Sequence, residues 1–151
     1  MIMDKQEEFS VAQTLIVGTG DTVSTNVYDS QGVTTFPAQN IDAGVGEEMY
    51  LNVRIGTAAL SATGTLQVVL QVDDNVGFAT PKEFPLTAAL LQAALTANTF
   101  VYQGRLPVGM ERFWRVVYRV GTAAFTAGTV DAFLTKDIQA NRAYASGFVA
   151  V

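Results

Sequence analysis

One stretch of this chain occurs twice. Residues 54–66 are RIGTAALSATGTL, and residues 119–130 are RVGTAAFTAGTV, one residue shorter. Each copy leaves a segment of alternating apolar residues, crosses a loop of Gly, Thr and Ala, and enters another such segment. A strand–loop–strand unit that is used twice predicts an antiparallel all-β domain with internal pseudo-symmetry. The repeated loop also argues against an enzyme, because it contains no acid or base and no notable nucleophile.

Alternation with a period of two marks the strands beside these loops. The apolar positions of the three clearest segments are Met49, Leu51, Val53 and Ile55; Leu66, Val68, Leu70 and Val72; and Trp114, Val116, Tyr118 and Val120. This period places them on one buried face of a sheet. About seven or eight strands in all predict a jelly roll or an antiparallel β-sandwich. Two similar hairpins favour the jelly roll, and a plain sandwich stays open.

The chain of 151 residues is predicted to form one domain. We assign residues 1–17 to an extended N-terminal arm and residues 18–136 to the jelly-roll domain. Residues 137–151 form a C-terminal tail that packs on the domain or on a neighbouring subunit. Residues 81–99 are ambiguous, because their prolines suggest an edge strand or extended loop. The Ala- and Leu-rich part of that range fits one helical turn or a distorted strand.

The composition restricts the partners. Only 15% of the residues are charged, against about 25% in a typical protein, so either partners cover some of the surface or threonine hydroxyls solvate it. A net charge of −5 without a run of Lys or Arg disfavours nucleic acid and anionic membranes as partners. No apolar run has the length of a membrane span, and the acidic N-terminus does not resemble a secretory signal. We expect synthesis in a cytoplasm.

The residue types needed for catalysis are scarce. The chain has no His and no Cys, which removes the usual triad base and thiolate metal ligands. The acidic stretches 73–75 and 47–48 could supply oxygen ligands for Ca²⁺, but the spacing of a calcium loop is missing. We therefore predict no enzyme, no cofactor and no metal site, with a metal-dependent hydrolase as a weak alternative.

Three aromatic residues offer a different function. Trp114 and Tyr118 share one strand face, and with Tyr50 they could form a platform for stacking sugars. The same face carries valines, so we favour a place in the core for these rings. A β-sandwich module that binds carbohydrate or mediates adhesion remains the alternative function, and it requires at least one of these rings to be exposed.

The unrepeated parts of the chain are the expected contact regions. Apolar residues in terminal segments must pack on their own domain or on a neighbour, and long loops in compact domains usually have a function. We predict that contacts with a partner or with another subunit come from both ends and from the loop at residues 29–47. The candidate residues are Phe9, Leu15, Ile16, Phe36, Ile41, Arg142, Tyr144 and Phe148.

Several motifs, taken in order, are similar to those of a known family. They are FSVAQ at residues 9–13, STNV at 24–27, IDAGVGEEMYL at 41–51, ERFWRV at 111–116, YRVGT at 118–122, AGTV at 127–130 and NRAYASGF at 141–148. Together they resemble the small capsid cement proteins of tailed bacteriophages, the family first named from a Bordetella phage. The resemblance covers nearly the whole chain and departs from the pattern at residues 81–99.

The resemblance implies a virion structural protein with a jelly-roll-like fold. Its members assemble as homo-oligomers on the exterior of the capsid and clamp adjacent major capsid proteins, without catalytic residues. The expected partners are therefore the major capsid protein and the chain itself, as a dimer or trimer. The expected location is the outer surface of a virion, after synthesis in the host cytoplasm.

Overall fold

The computed structural model describes residues 5–30 and 48–138, which form two antiparallel sheets packed face to face. The strands are β1 Glu8–Thr14, β2 Gly20–Val23, β3 Tyr28–Asp29, β4 Tyr50–Ile55, β5 Thr65–Asp73, β6 Lys82–Pro85, β7 Leu90–Leu91, β8 Phe100–Arg105, β9 Phe113–Gly121 and β10 Thr129–Thr135. The two short helical turns are Lys5–Glu7 and Gln92–Ala94, both of the 3-10 type.

The strand order is that of a jelly roll. The four-stranded sheet has the order β1-β10-β4-β8. The six-stranded sheet has the order β2-β9-β5-β6, with β3 beside β9 and β7 beside β5. The first strand thus pairs with the last, β2 and β3 pair with β9, β4 pairs with β8, and β5 pairs with β6 and β7. This nested pairing is how a long hairpin rolls into two sheets, and it confirms the predicted fold class.

The core lies between the sheets and follows the period of two. The predicted apolar rows of β5 and β9 face each other in register, with Leu66 opposite Val120, Val68 opposite Tyr118, Leu70 opposite Val116, and Val72 opposite Trp114. All of these side chains are buried in one cluster with Leu51, Val53 and Ile55 of β4. Trp114 and Tyr118 therefore belong to the core, as we favoured.

The two repeats connect the sheets rather than forming hairpins within one sheet. The first carries the chain from β4 to β5 and the second from β9 to β10, each passing from one sheet to the other. They meet at one end of the sandwich, where Leu60 and Ala127 form an isolated bridge. We call this end the crossover end. The expectation of two related loops is right, but their description as hairpins is wrong.

Glycines allow the repeats to approach the strands at equivalent points. A Cβ on Gly56 would lie 2.7 Å from Thr129 Oγ1, and a Cβ on Gly121 would lie 2.7 Å from Thr65 Oγ1. Gly56 and Gly121 hold the same position in the two copies, as do Thr65 and Thr129. The internal pseudo-symmetry inferred from the repeated sequence is thus present in these glycine–threonine contacts.

The described part of the predicted arm, residues 5–17, belongs to the domain. β1 lies at the edge of the four-stranded sheet and pairs with β10 along its length. A bulge interrupts the pairing at Ala12, whose φ is 44°. Its backbone N–H donates to Asp131 Oδ1 at 2.7 Å, so the bulge is fixed by a carboxylate of the neighbouring strand.

The ambiguous range 81–99 combines an edge strand with a helical turn. β6 lies at the edge of the six-stranded sheet, where Pro85 is tolerated. The Ala- and Leu-rich part contains the two-residue β7 and then the 3-10 turn Gln92–Ala94. Residues 139–151 of the tail and most of the loop at residues 29–47 lie outside the described residues.

Candidate interaction surface

The motif at residues 9–13 links the two sheets at one edge of the sandwich. Ser10 Oγ donates to Gln13 Oε1 at 2.6 Å, and the same Gln13 oxygen accepts from Thr25 N at 3.0 Å. Gln13 Nε2 donates to the carbonyl of Val23 at 2.7 Å. These bonds join the edge strands β1 and β2, which belong to different sheets. The motif residues at 10, 13 and 25 thus stabilise the fold.

Tyr118 extends this link into the core. Its hydroxyl donates to Ser10 Oγ at 2.8 Å, and both residues are buried. Burial raises the pKa of Tyr118 well above its ordinary value, and the hydrogen bond with Ser10 only partly offsets this. The phenol therefore stays protonated and serves as a fixed donor between the two sheets.

A second motif, at residues 111–116, holds the short strand β3. Trp114 stacks on Tyr28 with ring centroids 4.8 Å apart, and its indole N–H donates to the carbonyl of Glu111. Arg112 makes two hydrogen bonds to Asp29, at 2.9 and 3.0 Å. Trp114 is 3% exposed, so neither it nor Tyr118 can form a sugar platform.

The outer face of the six-stranded sheet is covered by its own charged side chains. Arg119 makes two hydrogen bonds to Asp21, at 2.7 and 2.8 Å, and a third to Glu83 at 3.1 Å. To reach Glu83 the guanidinium crosses the row that contains Val69 and Val117, and both valines are buried. The hydrogen bond from Arg119 holds the pKa of Asp21 below its ordinary value. This face offers a partner little apolar surface.

The acidic stretches do not converge on a metal site. Asp73 accepts backbone N–H bonds from Asn75 at 2.8 Å and Thr80 at 3.0 Å, which lowers its pKa and caps the turn after β5. Glu48 accepts from Tyr50 and pairs with Arg105 at 2.6 Å. Within residues 5–30 and 48–138, no group of three or more acidic side chains is placed to hold a metal ion. Glu47 lies outside those residues.

An uncharged groove lies at the crossover end. Its volume is about 510 Å³, and its walls are residues 58–64 of the first repeat and residues 91–96 around the second 3-10 turn. Ala59 and Leu95 form the buried floor, joined by a backbone hydrogen bond of 3.0 Å. Leu60 and Leu91 stand on the rim, 48% and 60% exposed.

The groove walls are held by the chain itself. Ser61 N donates to Gln92 Oε1 at 3.0 Å, which ties the first repeat to the helical turn. Gly64 N donates to Ser61 Oγ at 2.9 Å and closes the loop. Gly64 also lies so close to the second repeat that a Cβ there would approach the carbonyl of Ala123 at 2.7 Å. The groove is therefore a fixed feature of the two repeats.

The structure divides the predicted contact residues into three groups. Phe9 and Leu15 are 1% and 0% exposed and pack in the core of their own domain, so their side chains are not available to a partner. Ile16 is 58% exposed and stays a candidate. The remaining candidates lie outside the described residues: Phe36, Ile41, Arg142, Tyr144 and Phe148.

Sequence reasoning missed the groove residues Leu60 and Leu91. The available signal was the absence of charge from residues 55–66 and from residues 84–104. The two segments are far apart in the chain, and only the fold brings them together. Among the helices of the described residues, none has the length and hydrophobicity needed to cross a membrane.

Comparison with known families identifies the Bbp16 family. The model of the Bbp16 family matches residues 9–134, which is nearly the whole described domain and includes both repeats. No individual curated protein gives a significant match. The family takes its name from a protein of a Bordetella phage, which confirms the resemblance inferred from the motifs. The chain therefore belongs to the Bbp16 family, and the match indicates a phage structural protein.

Proposed function

We propose that this chain is a capsid cement protein, which binds the outer surface of a phage shell and joins adjacent major capsid proteins. The observation that carries the proposal is the Bbp16 match over residues 9–134, because the sequence motifs that led to the cement family lie mostly within it. We further propose that the chain has no catalytic role and binds neither nucleic acid nor membranes. Its expected location is the capsid exterior.

The physical properties of the domain support this role. Many of its polar side chains are already paired within the domain, including Arg119 with Asp21 and Glu83, and Arg112 with Asp29. A rigid domain of this kind loses little conformational entropy when it docks. Many copies bound to one lattice act together, so a modest affinity for each site is sufficient to stabilise the shell.

The proposal is tested by cosedimentation with expanded capsids of the phage that encodes the chain. We expect the purified protein to pellet with capsids at a saturating ratio and to raise the temperature at which they release DNA. A matched sample lacking capsids controls for aggregation. Failure to pellet with capsids, combined with retention on a polysaccharide column, would instead favour the carbohydrate-binding alternative. The burial of Trp114 and Tyr118 makes that retention unexpected.

A further inference from the structure

We propose that the groove at the crossover end receives residues 143–151, the part of the C-terminal segment 139–151 without charged side chains, of a second copy of this chain. This inference deepens the proposed function and rests on it, since it names the contact that would join two cement subunits. The groove is built wholly from described residues. The occupant is identified by its chemistry and by the point where the described chain ends.

The groove is suited to an apolar, uncharged ligand. The residues that line it carry no formal charge, and the side-chain amide of Gln92 is already bonded to Ser61 N. Leu60 and Leu91 expose apolar rims on the two sides of a floor made by Ala59 and Leu95. A charged segment would be desolvated here without a partner, which costs free energy. An apolar segment would cover both leucines.

The C-terminal segment has this chemistry. Residues 143–151 are AYASGFVAV and contain no charged side chain, within a chain that carries a net charge of −5. Tyr144 and Phe148 supply two aromatic rings, and the residues between them are small. Aromatic anchors in apolar pockets carry much of the binding energy of protein interfaces.

The place where the described chain ends favours a neighbour's groove. β10 begins at the crossover end, where Thr129 N donates to the carbonyl of Thr57, and runs to the opposite end, where Thr135 pairs with Tyr50. To enter its own groove, the segment would first have to return about 20 Å along β10. In a pair of copies related by a two-fold axis and lying antiparallel, each segment begins beside the partner's crossover end, and the contact forms twice.

The first experiment uses a fluorescent peptide of residues 139–151 and the chain truncated after Ile138. We expect saturable binding, measured by anisotropy. We expect the double variant Leu60→Asp/Leu91→Asp to weaken it at least about tenfold, because two apolar contacts are lost and two carboxylates resist desolvation. Val76→Asp is the matched control, since Val76 is exposed beyond the far end of β5. A peptide with Tyr144→Ser and Phe148→Ser should not bind. Equal binding to the double variant, or no binding to the truncated chain, overturns the inference.

The second experiment separates exchange between copies from binding within one copy. We expect the full-length chain to self-associate, and both the truncated chain and the full-length double variant to be monomers by sedimentation. Mixing these two monomers should restore one-to-one pairs, because one keeps the groove and the other keeps the segment. Peptide binding together with a full-length chain that stays monomeric refutes the second-copy part. Folding of each variant is checked by thermal unfolding, and a double variant that fails to fold is replaced by Leu91→Asp alone.

Capsid binding is measured on the same variants. If the peptide does not bind but the wild-type chain still pellets with capsids, the groove inference fails and the cement function stands. If the peptide binds but the wild-type chain does not pellet with capsids, the cement function fails instead.

Discussion

The buried hydrogen bond between Tyr118 and Ser10 allows a test of how the two sheets are joined. Tyr118 on β9 donates to Ser10 on β1 at 2.8 Å, and Ser10 donates onward to Gln13 at 2.6 Å. Because Tyr118 donates and Ser10 accepts, the loss of one residue affects the other differently: Ser10 keeps a second partner in Gln13, and the Tyr118 hydroxyl does not. We predict that Ser10→Ala destabilises the protein more than Tyr118→Phe, although each substitution removes a single oxygen.

The magnitudes follow from which group is left without a partner. Tyr118→Phe removes one hydrogen bond, but Ser10 keeps its bond to Gln13, so the free energy of unfolding should fall by about 1 kcal/mol. Ser10→Ala leaves the Tyr118 hydroxyl buried without a partner and also removes the donor to Gln13, so the loss should be about 2–3 kcal/mol. The double variant should cost less than the sum, because a phenylalanine ring at position 118 carries no hydroxyl that the loss of Ser10 could leave unpaired.

The measurement is urea unfolding of the four proteins, combined as a double-mutant cycle. A coupling of about 1 kcal/mol is expected between the two positions. Tyr102→Phe is the control, since the Tyr102 hydroxyl makes only a 3.4 Å hydrogen bond to the carbonyl of Arg105, and its loss should stay within about 0.5 kcal/mol. If the two losses are additive, or if Tyr118→Phe is the more harmful, the assigned direction of the network is wrong.

Three further predictions concern the repeat, the termini and acid stability. Gly56→Ala should lower the free energy of unfolding by about 1–3 kcal/mol in urea titrations, because its Cβ would lie 2.7 Å from a threonine hydroxyl, whereas Gly18→Ala has open space and should be nearly neutral. Removing residues 1–17 should abolish cooperative thermal unfolding, since it deletes β1 and two core side chains, while removing residues 139–151 should preserve it. The backbone N–H bond from Asn75 lowers the pKa of Asp73 below 3.8. The carboxylate of Asp73 therefore contributes its full stabilisation above that pH and loses it as the pH falls further. In Asp73→Asn the free energy of unfolding should depend less on pH in this acid range, and an unchanged dependence would contradict this.

The fold was predictable because its main signals are local. The alternation in β4, β5 and β9 places apolar side chains on one face, and the observed register puts those faces together. The repeat added that two connections are related. The repeated sequence could not show that these two connections cross between the sheets. A strand–loop–strand pattern is the same whether its two strands pair with each other or lie in different sheets.

The role of the N-terminus could not be predicted for a similar reason. An apolar segment such as residues 9–17 has the same pattern whether it adds to its own sheet or to a neighbour's. Two tertiary features decide between these, namely the left-handed bulge at Ala12 and the carboxylate of Asp131 that accepts its N–H. Neither feature changes the pattern of apolar residues in β1. Phe9 and Leu15 consequently belong to the core, and Ile16 alone of that set is exposed.

The outer face of the six-stranded sheet shows a similar limit. Alternation predicts that Val69 and Val117 face solvent, yet both are buried. Arg119 reaches across their row to Glu83 and also bonds Asp21, so it is held by two other strands. A long side chain can shield apolar surface while its charged end stays hydrated. Sequence reasoning cannot place such a side chain without knowing which strands flank β9.

The two repeats differ in exposure at one equivalent apolar position. Leu60 and Phe125 hold equivalent positions in the two copies, but Phe125 is 2% exposed and Leu60 is 48% exposed. The scaffold contacts at Gly56 and Gly121 are the same in both, so the difference does not come from the backbone connection. The segment beside the first copy is residues 91–96, which lines the groove and leaves Leu60 half exposed. Two equivalent connections thus stabilise the sandwich, and the apolar residue that the fold itself leaves uncovered in one of them is available to a partner.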